Sequence, residues 1–430
     1  MAAVDVPIAL LGYGTVGSAV NRLLEESGDD IERATGHRLR VVRALVRDPG
    51  RERRFATGEG VLTADFDDIV QDRAIAIVAE VMGGVEPTGD YVLRLLRAGK
   101  PVVSANKQLI ARRGAELFAA AGEAGVQLRF EASVCAAIPV IKVLREALVA
   151  TNVHHVLGIV NGTANFVLTR MEAGAGYEDA LAEAQHLGFA ERDPREDVSG
   201  ADAAAKLAIL ATVAFGSRVR LEDVLYEGIE TVRPEHVRAA DEFDMVVRLV
   251  GSAGLVDGAL DVRVQPSFVD SRHPLASVDG ASNAVILQGD AIREIMLEGP
   301  GAGGLETASA VVADLVSIVG TTGTGFLQND ACWRTLPRLP PGEFHSSFYL
   351  HVEVDDRPGV LAHIAERLAA EGVSIARLTQ RQLGVSAFLD LVTHVSASGP
   401  MGAATAAIAR LDEVHRRPTV MRVIDTEDLQ

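Results

Sequence analysis

The chain has 430 residues, of which 48% are hydrophobic and 23% charged; this is a globular composition, too long for one compact core, so two or three domains are expected. Aspartate and glutamate outnumber lysine and arginine by 59 to 41, a formal charge of -18 with no basic run against it, which excludes nucleic acid and anionic membrane surfaces as the main partner. The two cysteines, Cys135 and Cys332, stand far apart in sequence and can build neither a disulfide framework nor a Cys-x-x-Cys zinc site, which fits a reducing cytoplasm.

The N-terminus lacks a basic leader, and its apolar run, Val6 to Leu11, closes at Gly12 after a few residues. The most apolar stretch elsewhere, Leu207 to Phe215, is about half of the ~20 residues a spanning helix needs. A soluble protein is expected. After the Val6 to Leu11 strand, Val16, Val20, Leu23 and Leu24 recur at helical spacing, and apolar runs follow at Val41 to Val46 and Ala74 to Val81. Strands alternating with helical patterns predict βαβ units and a mostly parallel sheet. Val102-Val103 and Val126 to Phe130 extend the series, so a first domain is placed at residues 1 to 132.

From 133 to 299 the pattern is mixed α/β. A long helical stretch is expected around Ile138 to Val149, a short strand at Val156 to Val160, an Ala-rich helix from Ala201 to Phe215, and strands at Leu260 to Val264 and Ala284 to Leu287. The glycine-rich Gly299 to Gly304 then leads into a helix of small residues, Thr307 to Val319, with segment 300 to 335 returning to the first domain. The proline-rich Leu336 to Gly342 reads as a linker, taken as 336 to 346. The last unit, 347 to 430, carries its own pattern. Phe348, Leu350, Val352 and Val354 alternate as a strand, Asp355 or Asp356 is placed to cap a helix begun by Pro358, and a hairpin, a second helix and the strand Val420 to Ile424 complete a βαββαβ sandwich.

Chemistry enters with Gly12-Tyr13-Gly14-Thr15-Val16-Gly17, a GxGxxG directly between a strand and a helix. The first glycine serves the tight turn, the second lets the backbone approach a pyrophosphate, the third allows close helix–strand packing, and the helix amides face the anion. At the end of the next strand stands Arg47, followed by Asp48. A cation there favours a ribose carrying a 2'-phosphate, hence NADP over NAD; the alternative is a solvated basic loop. Met82-Gly83-Gly84 and Ser104-Ala105-Asn106-Lys107 follow later strands, where ligands of an open parallel sheet collect. Lys107 is therefore a candidate for the nicotinamide side of the cofactor or for an anionic substrate group. Farther on, Glu191, Asp197 and Asp202 precede Lys206, with Asp202 and Lys206 at i and i+4 on one helix face. By spacing alone the pair is either a surface ion pair or catalytic: a lysine can give a proton to a carbonyl oxygen, and carboxylates can hold a substrate ammonium.

Together these segments resemble homoserine dehydrogenases over nearly the whole chain. The resemblance rests on GYGTVG, on EVMGG at Glu80 to Gly84, SANK at Ser104 to Lys107 and EASV at Glu131 to Val134, and on NGTANFVLTRM at Asn161 to Met171. It continues through LGFAERDP at Leu187 to Pro194, GADAAAKLAILA at Gly200 to Ala211 and GPGAGG at Gly299 to Gly304. It implies a Rossmann dinucleotide-binding domain, an α/β substrate and dimerisation domain, and a C-terminal ferredoxin-like ACT domain marked by Asp356-Arg357-Pro358-Gly359-Val360-Leu361. The implied reaction is the reversible NAD(P)H-dependent reduction of L-aspartate 4-semialdehyde to L-homoserine, on the route to threonine, methionine and isoleucine.

The resemblance makes Lys206 the proton donor and Glu191, Asp202, Asp197 and Lys107 substrate ligands. It places Gly12, Gly14, Thr15, Val16, Gly17, Arg47, Gly83, Lys107, Gly188 and Gly303 at the cofactor. It further implies a monovalent cation, sodium in most members, at Glu131, Val134, Ala136 and Ile138. There the chain departs from the family, reading Cys135-Ala136-Ala137 where alanine and two glycines are usual, and Glu306 stands in place of a common proline. Threonine at the ACT domain and a homodimer or homotetramer are implied as well. The alternatives are a dehydrogenase of another small amino or oxo acid, or a non-catalytic dinucleotide and amino-acid sensor.

Overall fold

The computed structural model describes residues 4–53, 55, 57–320, 335–383 and 386–424. Cys332 and the return segment beyond Gly320, up to residue 334, lie outside the described residues. The chain divides into two units, the first formed by Met1–Val156, Ala205–Val224 and Val285–Thr335, the second by Leu157–Ala204, Leu225–Ala284 and Leu336–Gln430.

The first unit is built on a six-stranded parallel sheet of β1 (Val4–Leu11), β2 (His37–Leu45), β3 (Leu62–Thr63), β4 (Ile77–Glu80), β5 (Val102–Ser104) and β6 (Leu128–Arg129), in the order β3-β2-β1-β4-β5-β6. This is the doubly wound Rossmann order, with its switch point between β1 and β4. Ile8, Ala9, Leu10 and Leu11 of β1 are all fully buried, because helices cover both faces and the strand reads as an unbroken apolar run. Register aligns Leu11 with Leu45 and Glu80, and Glu80 with Ser104. The carboxyl ends of four strands therefore finish level with Gly12. Helix Gly304–Gly320 contributes Ala308, Val311 and Leu315 to the same core. It comes so close to helix Thr15–Glu26 that a Cβ on Gly304 would stand 2.7 Å from Thr15 Cγ2.

The helix expected around Ile138 to Val149 is shorter: Pro139 precedes an α-turn, Val140–Lys142, that passes into a π-turn, Val143–Ala147. Further strands are β7 (Val153–Ile159), β8 (Leu225–Tyr226), β9 (Met245–Val256), β10 (Ala259–Asp270), β11 (Ser282–Gly289) and β12 (Arg293–Pro300). β9 and β10 are an antiparallel pair of twelve residues each, joined at Asp257-Gly258. Both joining residues have positive φ, 49° and 79°, as a two-residue primed turn requires.

The last part of the second unit contains β13 (His345–Asp355), β14 (Ile375–Leu383), β15 (Ser386–Thr393), β16 (Ser396–Ala397) and β17 (Thr419–Ile424), with helices Val360–Ala370 and Ser398–Ile408. The sheet order β17-β13-β15-β14 is the ferredoxin-like arrangement of an ACT domain. Its edge strand β17 pairs in parallel with Ser267–Val269 of β10, so the sheet of this part continues the sheet of β9 and β10. The proline-rich segment expected as a linker is docked on the same strand: Leu260 N donates to Pro337 O and Leu339 N to Leu260 O, at 2.8 and 3.1 Å. The cap expected at Asp355 or Asp356 is not used. Gly359, with φ of 96°, turns the chain into the helix, and Asp355 instead accepts from His415 Nε2 at 2.7 Å.

Candidate active site

The turn after β1 is built to receive an anion. Gly12 has φ of 105°, a Cβ on it would meet Met82 Cα at 3.0 Å, and one on Gly17 would lie 2.2 Å from Gly12 O. A Cβ on Gly14, by contrast, would meet nothing within 4 Å. Helix Thr15–Glu26 has no side-chain cap and no acidic residue in its first turn. Its leading amides, Thr15 and Val16 among them, thus face outward without a competing carboxylate, as a pyrophosphate needs. Arg47 is exposed two residues past β2. Asp48 is occupied with the turn that follows, its Oδ1 accepting from Gly50 N at 2.9 Å. A cation without a directed acid beside it suits a phosphorylated ribose. Directly ahead of helix Gly304–Gly320, Gly303 has φ of 145° and lies under the Glu306 carboxylate, where its Cβ would be 1.9 Å from Oε2.

The strand ends on the other side of the switch point are cross-linked by Glu80. This fully buried carboxylate accepts from Met82 N and Gly83 N at 3.0 and 3.1 Å and from Ser104 Oγ at 2.6 Å. Burial raises its pKa, and the bonds from Ser104, Gly83 and Met82 oppose that rise. Ser104 Oγ in turn accepts from Asn106 N at 3.1 Å. Asn106 caps helix Lys107–Ala124, its Oδ1 accepting from Leu109 N at 3.0 Å, and donates Nδ2 to Gly84 O at 2.6 Å. Lys107 therefore starts a helix whose first turn is fixed to both the Gly83-Gly84 turn and the end of β5.

In the second unit the acidic residues gather around one amide. Asn161, at the end of β7 and 3% exposed, donates Nδ2 to Asp197 Oδ1 at 2.7 Å and to Asp202 Oδ2 at 2.8 Å. Its Oδ1 caps helix Gly162–Glu172 by accepting from Ala164 N at 2.7 Å. Asp202 is buried at the start of helix Ala201–Phe215, and Lys206, 9% exposed, follows one turn later among Ala203, Ala204, Leu207 and Ile209. Glu191 is not brought into this cluster by its backbone; it stays on an exposed loop whose carbonyl accepts from Gln185 Nε2 at 3.2 Å. Gly188 ends helix Tyr177–Leu187 in the left-handed conformation, φ 80°.

Glu131, Val134, Ala136 and Ile138 are all buried in one winding segment. Both Glu131 carboxylate oxygens are committed, to Ile141 N at 2.8 Å and Lys142 N at 2.7 Å. Burial and the Asp314 carboxylate push the Glu131 pKa up to about 8, against the two amides and Arg145, which favour the anion. Main-chain oxygens are the neutral ligands this segment offers a cation. Glu131 O and Ile138 O each accept one amide, from Val134 and Val140, and keep a second lone pair. Positive φ at Cys135 (53°) and Ala136 (30°) turns the segment back on itself. The donor set fits a hard monovalent ion held by carbonyls. Among the described residues, no group of three or more His, Cys, Asp or Glu side chains could hold a metal, and no helix is long and apolar enough to cross a membrane.

Sequence reasoning did not single out Glu80, Asn106 or Asn161. The signal available for both asparagines was local: Asn directly ahead of a helical pattern is a strong N-cap.

The family model described as the NAD binding domain of homoserine dehydrogenase matches residues 12–131, the homoserine dehydrogenase model 139–316, and the ACT domain model 348–413. The homoserine dehydrogenase of Corynebacterium glutamicum is 41% identical over 396 residues, covering 90% of this chain and 89% of that protein. That of Mycobacterium tuberculosis H37Rv is 40% identical over 442 residues, 98% of each. Among solved structures, a homoserine dehydrogenase from Thiobacillus denitrificans superposes with a TM-score of 0.94 at 39% identity, covering 99% of this chain and all of that one. A hyperthermophilic archaeal homoserine dehydrogenase in complex with NADPH gives 0.64 at 29% identity over 74% of this chain and 99% of its own.

Proposed function

The chain belongs to the homoserine dehydrogenase family, NAD(P)-dependent oxidoreductases of amino-acid biosynthesis that interconvert L-aspartate 4-semialdehyde and L-homoserine, and on that footing we propose how its residues divide the work. The observation that carries the proposal is the pairing of half-buried Asp197 and buried Asp202 through Asn161, with Lys206 one helical turn beyond Asp202.

Asp202 and Asp197 hold the α-ammonium of the substrate, and Glu191 closes over it from its exposed loop. Lys206 donates a proton to the aldehyde oxygen as negative charge develops there, and takes it back in the reverse direction. Lys107 binds where substrate and nicotinamide meet. A bound nicotinamide supplies the hydride. The dinucleotide is held by Gly12, Gly14, Thr15, Val16, Gly17, Gly83, Gly188 and Gly303, with Arg47 selecting NADP over NAD. Carbonyl oxygens of Glu131, Val134, Ala136 and Ile138 hold sodium. The ACT domain takes an amino acid, threonine by its place at the end of the route, and the substrate part forms a cytoplasmic homodimer or homotetramer.

Lys206→Ala tests the central assignment. Turnover should fall by about a hundredfold or more, the usual contribution of a positioned acid, while NADPH binding followed by fluorescence stays near wild type; wild-type rates would overturn it. Steady-state rates with both cofactors and a panel of small aldehydes separate this enzyme from a dehydrogenase of another substrate. Unchanged kinetics and thermal stability at saturating threonine would remove threonine from the scheme.

A further inference from the structure

We propose that Asn161 is the positioning residue of the substrate site, the group that lets the Asp197 and Asp202 carboxylates stand side by side in their charged forms. The proposal rests on the reading above, in which those two carboxylates receive the substrate ammonium.

Nδ2 lies 2.7 Å from Asp197 Oδ1 and 2.8 Å from Asp202 Oδ2, so those two oxygens are within about 5.5 Å of each other, the sum of the two bonds. Two carboxylates so close, Asp202 buried and Asp197 half-buried, repel, and such a pair relieves itself by separating or by retaining a proton. An amide nitrogen has two N–H groups, and Asn161 aims one at each carboxylate. An ammonium, with its own set of donors and a positive charge, is the complement of that arrangement.

The amide cannot turn over. Its Oδ1 is the cap of helix Gly162–Glu172, accepting from Ala164 N at 2.7 Å, so the nitrogen must face the acids. The backbone that carries it is equally confined. A Cβ on Gly162 would stand 2.3 Å from Ala281 O, leaving no room for the helix start to shift. Thr163 Oγ1 donates to Phe189 O at 2.6 Å, and Asn165 Nδ2 to Val278 O and Gly280 O at 2.9 and 3.0 Å. Asp197 lies in the short helix Arg195–Val198 and Asp202 in helix Ala201–Phe215. Asn161 thus gathers three chain segments, and a rigid helix start sets where the carboxylates stand.

Asn161→Asp discriminates this role from simple capping. Aspartate caps as well as asparagine, so the helix and fold are kept, but both donors are lost and a third carboxylate is added. Kinetics are measured in both directions with homoserine and aspartate semialdehyde, and with succinate semialdehyde, which lacks the α-ammonium. The expected result is a rise of about ten- to a hundredfold in KM for the amino substrates, an acid limb of kcat/KM moved to higher pH, and little change for succinate semialdehyde or in KM for NADPH. If Asn161→Asp matches wild type while Asp202→Asn loses amino-substrate affinity, Asn161 is only a cap and the proposal fails with the site reading intact. If Asp202→Asn also leaves KM for amino substrates unchanged, the ammonium reading falls and this proposal with it. Should Asn161→Asp fail to fold, Asn161→Ser takes its place, because serine caps and adds no charge, and the same KM split is expected.

Discussion

Gly14→Ala and Gly17→Ala separate what the glycine turn does for the ligand from what it does for the fold. At Gly17 a methyl would lie 2.2 Å from Gly12 O, 3.1 Å from Gly12 C and 3.3 Å from Val81 Cγ2. The carbonyl it meets belongs to a residue held at φ 105° and tied by Gly12 N to Leu45 O at 3.0 Å. Relief to an ordinary carbon–oxygen contact of about 3.2 Å therefore requires the helix to move away from the turn by about 1 Å. Overpacking of this kind costs about 1–3 kcal/mol. At Gly14 the methyl would meet nothing within 4 Å, and φ of -90° admits any residue, so stability should change by less than about 0.5 kcal/mol. The same methyl, however, would stand where the backbone approaches the pyrophosphate. Urea unfolding followed by fluorescence measures the first effect, and NADPH titration the second. Gly17→Ala should shift the urea midpoint down. Gly14→Ala should keep the wild-type midpoint and lose about tenfold or more in dinucleotide affinity, a change of about 1.4 kcal/mol. Wild-type affinity in Gly14→Ala would remove the pyrophosphate from this turn, and an unmoved midpoint in Gly17→Ala would refute the close packing.

His236 is 2% exposed, with Arg233 N donating to its Nδ1 at 3.2 Å, and burial, with His351 nearby, lowers its pKa from 6.5 to about 4. The unfolded chain takes up a proton between those values and the folded chain does not. Stability should therefore fall by about 3 kcal/mol as pH drops through that window, and His236→Gln should flatten the fall in urea midpoints measured from pH 7 to 4. Asp390, fully buried, accepts from Tyr349 Oη at 2.5 Å and Arg381 Nη2 at 2.6 Å and lies 2.8 Å from His351 Nδ1. Burial alone would raise its pKa, but these partners together hold it below the ordinary value. Asp390→Leu removes the acceptor that Tyr349, His351 and Arg381 share and leaves Arg381 only Glu242, 3.3 Å away, so a loss of about 3–5 kcal/mol is expected, with the ACT part becoming cleavable under limited proteolysis; an unchanged midpoint would mean the network is idle. At Ala136, φ of 30° holds a Cβ in a left-handed backbone, a cost of about 1–2 kcal/mol. Ala136→Gly relieves it against about 0.5–1 kcal/mol of added chain entropy, so a small rise in urea midpoint is expected, and a fall would show the strain to be absent.

How far the sequence could be read depended on the range of the interaction. The fingerprint glycines were legible because turn, approach and packing are all decided within six residues of one strand end. Asp202 and Lys206 were legible as a pair because a helix brings i and i+4 to one face. The docked segment at Pro337 and Leu339 was not, because proline reports what its own backbone forbids and is silent about the Leu260 carbonyl and amide that receive its neighbours. The helix expected over Ile138 to Val149 was overdrawn for a related reason: apolar spacing continues past both of its ends, whereas Pro139 and the Glu131 carboxylate, eight residues apart in sequence, decide where it starts.

The two asparagines show what lay between these extremes. Asn106 and Asn161 each follow a strand and precede a helix, each is buried, and each accepts a backbone amide on Oδ1 three residues ahead, from Leu109 and Ala164. That half of their role is local and could be read as a cap. The other half is not. Capping fixes the carbonyl end of the amide, which leaves the Nδ2 end pointing away from the helix, and in both cases it is spent on a distant group: Gly84 O for Asn106, Asp197 and Asp202 for Asn161. Serine or threonine could cap as well but would bring no second donor of this reach, and aspartate would bring a charge. At a strand-to-helix junction in an α/β protein, where ligands collect, a capping asparagine thus carries a surplus donor aimed along the strand ends. Such a residue is a candidate organiser of the site even when the groups it gathers are far away in sequence.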